Sequence, residues 1–167
     1  MVAQLGFGFH DRIGETDEWW TPRWIFHGLK TDFALDVAAP EGGVPWIPAA
    51  RHFSEVDDGL IQDWWGFVWM NPPYSDLEPW VKKCAKHGNG LALLFARTDT
   101  AWWQKWVAGN ASAVLFLRGR VNFYRKHNPT SNSAGAPSAI VAYGSRGREV
   151  LERCGIPGWL VFGGRVL

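Results

Sequence analysis

The stretch Trp64-Trp65-Gly66-Phe67-Val68-Trp69-Met70-Asn71-Pro72-Pro73-Tyr74 decides the fold. Its first six residues form an apolar run, which is typical of a buried strand. The two prolines fix the backbone and remove two N–H donors, so the strand ends in a stiff turn. Apolar residues at helical spacing follow over 77–87. A strand, a rigid turn and a helix in this order predict an α/β protein. Asn71 and Tyr74 then lie at the carboxyl end of a strand, where open sheets bind ligands.

Other parts of the chain predict the remaining elements of one domain. Strands are expected at 33–39, 91–96, 113–117, 138–143 and 159–162, with a weaker one at 51–55. Helices are expected at 22–30, with Thr21 as its cap, at 77–87, around 102–107 and in the tail. Strands separated by helices predict a doubly wound, mostly parallel sheet with an antiparallel strand. Residues 1–15 are expected to form an irregular arm, and residues 125–137 a flexible loop.

Composition limits the possible functions. The 167 residues are 47% hydrophobic, which fits one domain with a substantial core. The net charge of +1 means that any contact with nucleic acid needs a local basic patch. Cys84 and Cys154 lack metal-ligand spacing, so Cys84 is expected to be a core thiol in a reduced, cytosolic protein. No signal-peptide pattern and no apolar run of membrane-spanning length is present, so no membrane association is expected.

The Asn-Pro-Pro-Tyr turn suggests a specific chemistry. The Asn71 amide oxygen and the free carbonyls of Asn71 and Pro72 are acceptors that suit an NH2 group with two hydrogens to donate. Tyr74 offers a ring for stacking a planar group, which is worth roughly 1–3 kcal/mol for a nucleic-acid base. This constellation fits a flat heterocycle with an exocyclic amine. The alternative is that the four residues are only a rigid turn.

A single basic cluster with interleaved aromatic residues occurs at 118–127. Its cations can bind phosphates, and an aromatic ring can stack on an extruded base. The candidate DNA-binding residues are Arg118, Arg120, Phe123, Arg125 and Lys126. The alternative is a plain β-hairpin with a long polar loop.

Five short motifs occur in a fixed order between residues 19 and 143. They are Trp19-x-Thr21-Pro22, Leu35-Asp36-Val37-Ala38, Asp58-Gly59-Leu60, Asn71-Pro72-Pro73-Tyr74 and Gly119-Arg120-x-x-Phe123. One such motif is weakly specific, but the ordered set is strongly so. In this set the chain resembles the small phage-type DNA N-6-adenine methyltransferases of the Dam group, which are amino-methyltransferases. It departs from nucleotide-binding patterns in having no Gly-x-Gly after Asp36.

The resemblance implies a Rossmann-like fold, the cofactor S-adenosylmethionine, double-stranded DNA as the partner and no metal. The protein would act in the cytoplasm of a bacterial host if it is encoded by a phage or prophage. The implied catalytic residues are Asn71, Pro72, Pro73 and Tyr74. The candidate cofactor-binding residues are Trp19, Thr21, Pro22, Asp36, Ala38, Glu55, Asp58 and Asn71.

Two other functions remain compatible with these patterns. A methyltransferase acting on RNA or on a protein glutamine amide would use the same turn, because a glutamine amide also carries an NH2 group. A non-catalytic, tryptophan-rich module for sugars or nucleic acid would account for the twelve tryptophans but would not need Asp36 or Asn71. The DNA recognition sequence and the oligomeric state are not encoded in any pattern that we identify.

Overall fold

The computed structural model describes residues 19–125 and 128–163, apart from the side chains of Arg125 and residues 128–133. The helices are α1 (Arg23–Leu29), α2 (Glu78–His87), α3 (Gly144–Arg153) and a π-helix at Trp103–Ala108. The strands are β1 (Phe33–Asp36), β2 (Ala49–His52), β3 (Val68–Met70), β4 (Gly90–Phe95), β5 (Ala113–Leu117), β6 (Asn122–Arg125), β7 (Asn128–Ser133), β8 (Ser138–Tyr143) and β9 (Gly158–Phe162).

Seven of these strands form one mixed sheet in the order β2-β1-β3-β4-β8-β5-β9. The pairs among β2, β1, β3 and β4 are parallel, whereas β8 is antiparallel to β4 and β5, and β9 is antiparallel to β5. The expected mostly parallel sheet is therefore not confirmed. The cause is the separate antiparallel pair β6–β7, which follows β5 in place of a crossover helix. The chain re-enters the sheet at the edge where β5 ends, so β8 must run backwards.

Helices cover both faces of the sheet. Side chains alternate along the central strands, so that Trp69 and Leu93 pack with residues of α1 and α3. Val68, Met70 and Leu94 pack on the opposite face with residues of α2 and the π-helix. We call these two sides the α1 face and the α2 face. Burial on both faces explains the continuous apolar runs of the central strands, and each fully buried large side chain contributes roughly 1.5–3 kcal/mol.

Several sequence-based boundaries agree with the structure. Strands β5 and β8 span the predicted residues, and α2 ends at Gly88, which adopts the left-handed conformation at φ 68°. The tail contains the expected helix and strand. Cys84 is a buried free thiol of the core, as predicted.

Five boundary predictions are wrong. Strand β3 begins at Val68 and not at the start of the apolar run at 64–69, in which Trp65 and Gly66 are exposed. Strand β1 ends at Asp36 and not at residue 39. Helix α1 begins after Pro22 without a side-chain cap, because the extended residue at the cap position is Pro22, which has no polar side chain, and not Thr21. The Thr21 carbonyl instead accepts a hydrogen bond from Trp46. Strand β2 lies two residues earlier than expected, because Phe33 donates to the carbonyl of Pro48 and sets the register with β1. The stretch expected to be a loop at 125–137 contains strand β7. The arm at 1–15 lies outside the described residues.

Candidate active site

One edge of the sheet collects the candidate functional residues. Strands β1, β3, β4 and β5 all end at this carboxyl edge, and β8 begins there. Asp36 and Phe95 are therefore the last residues of their strands, Asn71 and Arg118 follow theirs, and Ser138 opens β8. The carboxyl ends of strands are where open α/β sheets bind ligands.

The amide of Asn71 has a defined orientation. Its Nδ2 donates a hydrogen bond to the backbone carbonyl of Trp19 at 2.5 Å. A carbonyl only accepts, so the amide nitrogen must face Trp19 and the amide oxygen must face away. The hydroxyl of Tyr74 donates to that oxygen at 3.1 Å and lies 3.2 Å from the carbonyl of Leu93. Since one hydroxyl hydrogen can serve either acceptor, Tyr74 can turn to Leu93 and release the Asn71 oxygen for an incoming NH2 group.

Four aromatic rings, those of Trp19, Tyr74, Phe95 and Phe123, form the aromatic cluster beside Asn71. Tyr74 stacks on Phe95 with ring centroids 4.0 Å apart and an interplanar angle of 15°. Phe123 meets both Tyr74 and Trp19 edge-on, at 6.4 and 6.0 Å. Phe123 is only 1% exposed, so it supports the cluster from within and does not lie on an open surface.

The Trp-x-Thr-Pro segment joins this cluster to the β6–β7 hairpin. The backbone of Trp20 exchanges hydrogen bonds of 2.9 and 3.0 Å with Tyr124. The indole of Trp46 donates to the carbonyl of Thr21 at 2.8 Å. Thr21 is 1% exposed, and its hydroxyl has no hydrogen-bond partner within the described part of the chain. The segment therefore holds Trp19 over Asn71 and carries a buried hydroxyl that is chemically suited to a ligand.

Asp36 is a buried carboxyl group at the end of β1, with 3% of its surface exposed. Its only hydrogen bond from a described residue comes from the Ala38 N–H, at 3.3 Å, and no described cation pairs with it. Burial raises the pKa of Asp36 to about 7, against the weaker opposing effect of that hydrogen bond. The carboxyl group lines a cavity of about 210 Å³ together with Gly42, Gly43 and His52. A carboxyl group poised near neutrality can ionise when a cationic or hydroxyl-bearing ligand arrives.

The acidic residues after β2 have different surroundings. The carboxylate of Asp57 accepts hydrogen bonds from the backbone and hydroxyl of Ser54 at 2.8 and 2.9 Å, and these bonds lower the pKa of Asp57. Asp58 adopts a left-handed conformation, and its carboxylate accepts from the Leu60 N–H at 3.1 Å. Glu55 is exposed; its backbone carbonyl accepts from the Asp58 N–H at 3.3 Å, but its carboxylate makes no hydrogen bond to a described residue. The carboxylate of Asp57 is thus used for hydrogen bonds within its own turn, whereas that of Glu55 can bind a ligand.

Lys83 fastens the Asp-Gly-Leu loop to α2. Its ammonium donates to the backbone carbonyls of Gly59 at 3.1 Å, Leu60 at 2.8 Å and Gln62. The same ammonium lies 5.0 Å from the ring centroid of Trp64, whose indole donates to the Gly59 carbonyl at 2.7 Å. Desolvation lowers the pKa of Lys83 despite the opposing charges of nearby carboxylates. The sequence did not single out Lys83, because Lys82 and Lys86 of the same helix look equivalent.

Gly59 allows this loop to approach the end of β1. A Cβ atom at this position would lie 2.1 Å from the backbone carbonyl oxygen of Val37 and 3.1 Å from the Trp80 ring. Only glycine permits so close a contact without displacement of the backbone. The loop carrying Asp58 is therefore held directly against the strand that carries Asp36.

Replacing Lys83 by methionine should lower the free energy of unfolding by about 1.5–3 kcal/mol, since hydrogen bonds from a charged donor contribute about that much. The expected cause is release of the loop around Gly59. Denaturant unfolding measures the effect. Lys82→Met is the matched control, because Lys82 contacts the ring of Trp106 without holding this loop. Equal stabilities of the two variants would contradict the assigned role.

Only some of the predicted basic residues have described side chains. Arg118 and Arg120 are exposed and flank Gly119, which has φ 83°, in the turn after β5 at the carboxyl edge. The side chain of Arg125 and all of Lys126 lie outside the described residues. The structure therefore places two of the four predicted cations on the same edge as Asn71.

Comparison with known proteins identifies the family of the chain. The sequence profile of the DNA N-6-adenine-methyltransferase (Dam) family matches residues 10–147. The chain belongs to this family. A DNA N-6-adenine-methyltransferase of Escherichia phage T1 is 31% identical over 111 residues, which cover 60% of this chain and 44% of that protein. One of Haemophilus phage HP1 (strain HP1c1) is 27% identical over 112 residues, which cover 62% of this chain and 63% of that protein.

The aligned part of the chain thus spans less than two thirds of either relative. No solved structure matches significantly. Among the described residues, no group of three His, Cys, Asp or Glu side chains could hold a metal ion. No helix in the described ranges has both the length and the apolar character needed to span a membrane.

Proposed function

We propose that the protein transfers a methyl group from S-adenosylmethionine to the N-6 amine of adenine in double-stranded DNA, by direct in-line transfer. The observation that carries the proposal is the fixed orientation of the Asn71 amide, whose oxygen is presented beside Tyr74 by the bond from Nδ2 to Trp19. Family membership supports the same activity.

Asn71 and Pro72 provide the acceptors for the target amine. The amine of adenine is a poor nucleophile because its lone pair is delocalised into the ring. The amide oxygen of Asn71 and the carbonyl of Pro72 accept its two hydrogens and favour a tetrahedral nitrogen with a localised lone pair. The same acceptors stabilise the positive charge that develops on that nitrogen. An amide does not take up a proton near neutral pH, so the proton leaves to water after the transfer.

The residues along the carboxyl edge fit a cofactor that carries an amino-acid group and a ribose. When bound, S-adenosylmethionine supplies an electrophilic methyl group on its sulfonium. Asp36 is a buried carboxyl group without a described cation, and we assign it to the ammonium or a hydroxyl. Glu55 is assigned to ribose hydroxyls, and Asp58 to the adenine amine. The segment from Trp19 to Pro22, with Ala38 opposite, would enclose the methionine end.

The arrangement of the sheet supports a Rossmann-like interpretation of the fold. Five of the seven strands run in the same direction, namely β1 to β5, and helices cover both faces. The two antiparallel strands, β8 and β9, come last in the chain; in the sheet, β8 lies between β4 and β5, and β9 lies at the edge beside β5. We therefore propose the doubly wound fold of S-adenosylmethionine-dependent methyltransferases with a C-terminal antiparallel extension.

The DNA is proposed to approach the carboxyl edge. Arg118 and Arg120 would contact phosphates there, and Arg125 and Lys126 are further phosphate-binding candidates on sequence grounds. The target adenine must leave the duplex to reach Asn71, as for other enzymes that modify a base. The partly exposed rings of the aromatic cluster would receive the extruded base, with the buried Phe123 supporting them from within. The bacterial cytoplasm, which contains the DNA, is the compartment proposed for this reaction.

Methylation of a duplex library, followed by sequencing that reports N-6-methyladenine, tests the proposal. The expected result is modified adenine at defined sites in duplex DNA. Parallel reactions contain the same sequences as RNA and a glutamine-containing peptide library. Modification of either of those substrates without modification of DNA would reject adenine in DNA as the target. Binding of S-adenosylmethionine without methylation of any substrate would favour a non-catalytic module.

Removal of two cations should weaken DNA binding in a salt-dependent manner. The double substitution of Arg118 and Arg120 by alanine is expected to reduce the slope of log affinity against log salt by up to about 1.8, because each phosphate contact contributes about 0.9. Fluorescence anisotropy over a salt series measures this slope. The matched control replaces Lys30 and Lys86, which are exposed at the opposite, amino edge of the sheet. A control with the same loss would show that the effect is one of net charge.

A further inference from the structure

Ser138 lies beside the aromatic cluster. It opens β8 and pairs directly with Phe95 in the antiparallel register of β4 and β8. The Ala96 N–H donates to the Pro137 carbonyl at 2.8 Å and extends this pairing to the carboxyl edge. Directly opposed residues of an antiparallel pair project their side chains to the same face, with Cβ atoms about 4.5–5.5 Å apart. Ser138 is therefore a neighbour of the ring on which Tyr74 stacks.

The side chain of Ser138 projects to the α1 face. Ile140 and Ala142, two and four residues further along β8, both pack in the core of that face. Side chains two residues apart in a strand share a face. The amide of Asn71 lies on the same side, because it binds Trp19, which also packs against that core. Ser138 and Asn71 thus lie on the same face of the sheet, at the carboxyl ends of the two strands that flank β4.

The hydroxyl of Ser138 is buried without a partner. The residue is 1% exposed, and its Oγ makes no hydrogen bond to any described residue. Ser112, at the amino edge beside the other end of β8, provides a contrast: its hydroxyl lies 3.0 Å from the Ala142 carbonyl and 2.8 Å from the Gly144 carbonyl. Buried polar side chains are nearly always hydrogen-bonded, so an unpaired one next to a candidate site points to a ligand.

We propose that the Ser138 hydroxyl donates a hydrogen bond to a ring nitrogen of the target adenine, either N1 or N7. This inference rests on the proposed function. Both nitrogens are acceptors that lie on either side of the N-6 amine: N1 is bonded to the carbon that bears the amine, and N7 to the adjacent ring carbon. Asn71 and Pro72 offer only acceptors toward the amine, so the site needs a separate donor to bind the ring itself. Ser138 is a donor on the same face as Asn71, across β4 from it, and its bond would make adenine recognition depend on more than the amine.

Deaza analogues of adenine test this assignment. Duplexes carry adenine, 7-deazaadenine or 1-deazaadenine at the methylated position, and kcat/KM is measured for each. The wild-type protein should lose about 10- to 100-fold with one analogue, the range expected for loss of a hydrogen bond in a buried site. Ser138→Ala should lose a similar factor on adenine and should not lose it again with that analogue, because residues and groups in direct contact are not additive. The sensitive analogue identifies the nitrogen.

Three further variants and readouts separate binding from structure. Ser138→Thr keeps a hydroxyl and should keep the sensitivity to the deaza analogue. Ser112→Ala removes a paired hydroxyl elsewhere on the same strand pair and should leave the analogue pattern of the wild type unchanged. Affinity for S-adenosylmethionine, measured by calorimetry, should be unaltered in Ser138→Ala.

Specific outcomes overturn the assignment. Equal wild-type activity on all three duplexes would do so, as would persistence of the full deaza penalty in Ser138→Ala. A loss of cofactor affinity in that variant would move Ser138 to the cofactor site. Absence of any methylation by the wild-type protein, despite bound cofactor, would instead reject the proposed function and this inference with it.

Discussion

Replacing Asn71 by alanine is expected to reduce kcat for methyl transfer by at least about 10²–10³-fold, the loss seen when one preorganised polar group that stabilises developing charge is removed. The substitution removes the acceptor for the target amine and also the donor that holds the Trp19 carbonyl. Affinity for S-adenosylmethionine should change little, because its proposed charged contact is Asp36. Single-turnover kinetics and calorimetry measure the two quantities separately.

Asn89→Ala is the matched control for this substitution. Asn89 lies at the amino edge of the same sheet, where its side chain donates to the Gly66 carbonyl at 2.9 Å. Its removal also deletes an amide that bridges two loops, but at the edge of the sheet opposite to Asn71. Near-normal turnover in Asn71→Ala, or an equal loss in Asn89→Ala, would contradict the mechanism.

Replacing Asp36 by asparagine should weaken cofactor binding by about 10- to 100-fold, because a charge-assisted hydrogen bond is lost. The same substitution should stabilise the cofactor-free protein above pH 7. The pKa of Asp36 is raised from 3.8 to about 7 by burial, so the folded protein retains a proton that the unfolded chain releases. The contribution of this bound proton to the free energy of unfolding of the wild type is fully present below about pH 4 and is lost as the pH rises through 7.

Asparagine cannot ionise, so the stability of the variant does not fall for this reason as the pH rises. Thermal unfolding at pH 8 should show a higher Tm for Asp36→Asn than for the wild type, by about 2–4 °C for each kcal/mol gained. The difference in Tm should be smaller at pH 5, and the two values should converge only below about pH 4. Wild-type cofactor affinity should also fall as pH drops below 7, because the carboxylate becomes protonated, whereas that of Asp36→Asn should not.

Asp32→Asn serves as the control for this comparison. Asp32 is exposed and immediately precedes β1, the strand that Asp36 ends. Its replacement should leave both cofactor affinity and the pH dependence of stability unchanged. A wild-type Tm that did not fall relative to that of Asp36→Asn between pH 5 and pH 8 would show that Asp36 is not a buried, protonated carboxyl group.

Several element bounds of this protein are encoded by residues close together in the sequence. Strands β5 and β8 were predicted with their correct bounds, because each is a short apolar run enclosed by residues that favour turns. The end of α2 at Gly88 was predictable because glycine adopts the left-handed conformation without steric cost. The position of Asn71 after a buried strand followed from the apolar run and the two prolines.

Features set by distant residues were not predictable in this way. The edge strand β2 was misplaced because its pairing with β1 fixes its bounds. The direction of β8 depends on the hairpin β6–β7, whose polar sequence suggested a loop. Lys83 could not be distinguished from its neighbours, because its three carbonyl partners lie 21 to 24 residues away in sequence.

The sequence by itself determined the α/β class, the order of the motifs and the placement of Asn71, Tyr74 and Asp36 at strand ends, because short-range patterns of apolar residues and turn formers encode these features. Only the tertiary structure decided which way the Asn71 amide points, since its partner Trp19 is 52 residues away. It also decided that Asp36 is desolvated and that Ser138 is buried beside Phe95 without a described partner. Hydrogen-bond direction and desolvation arise from atoms brought together by folding, and no local pattern records them.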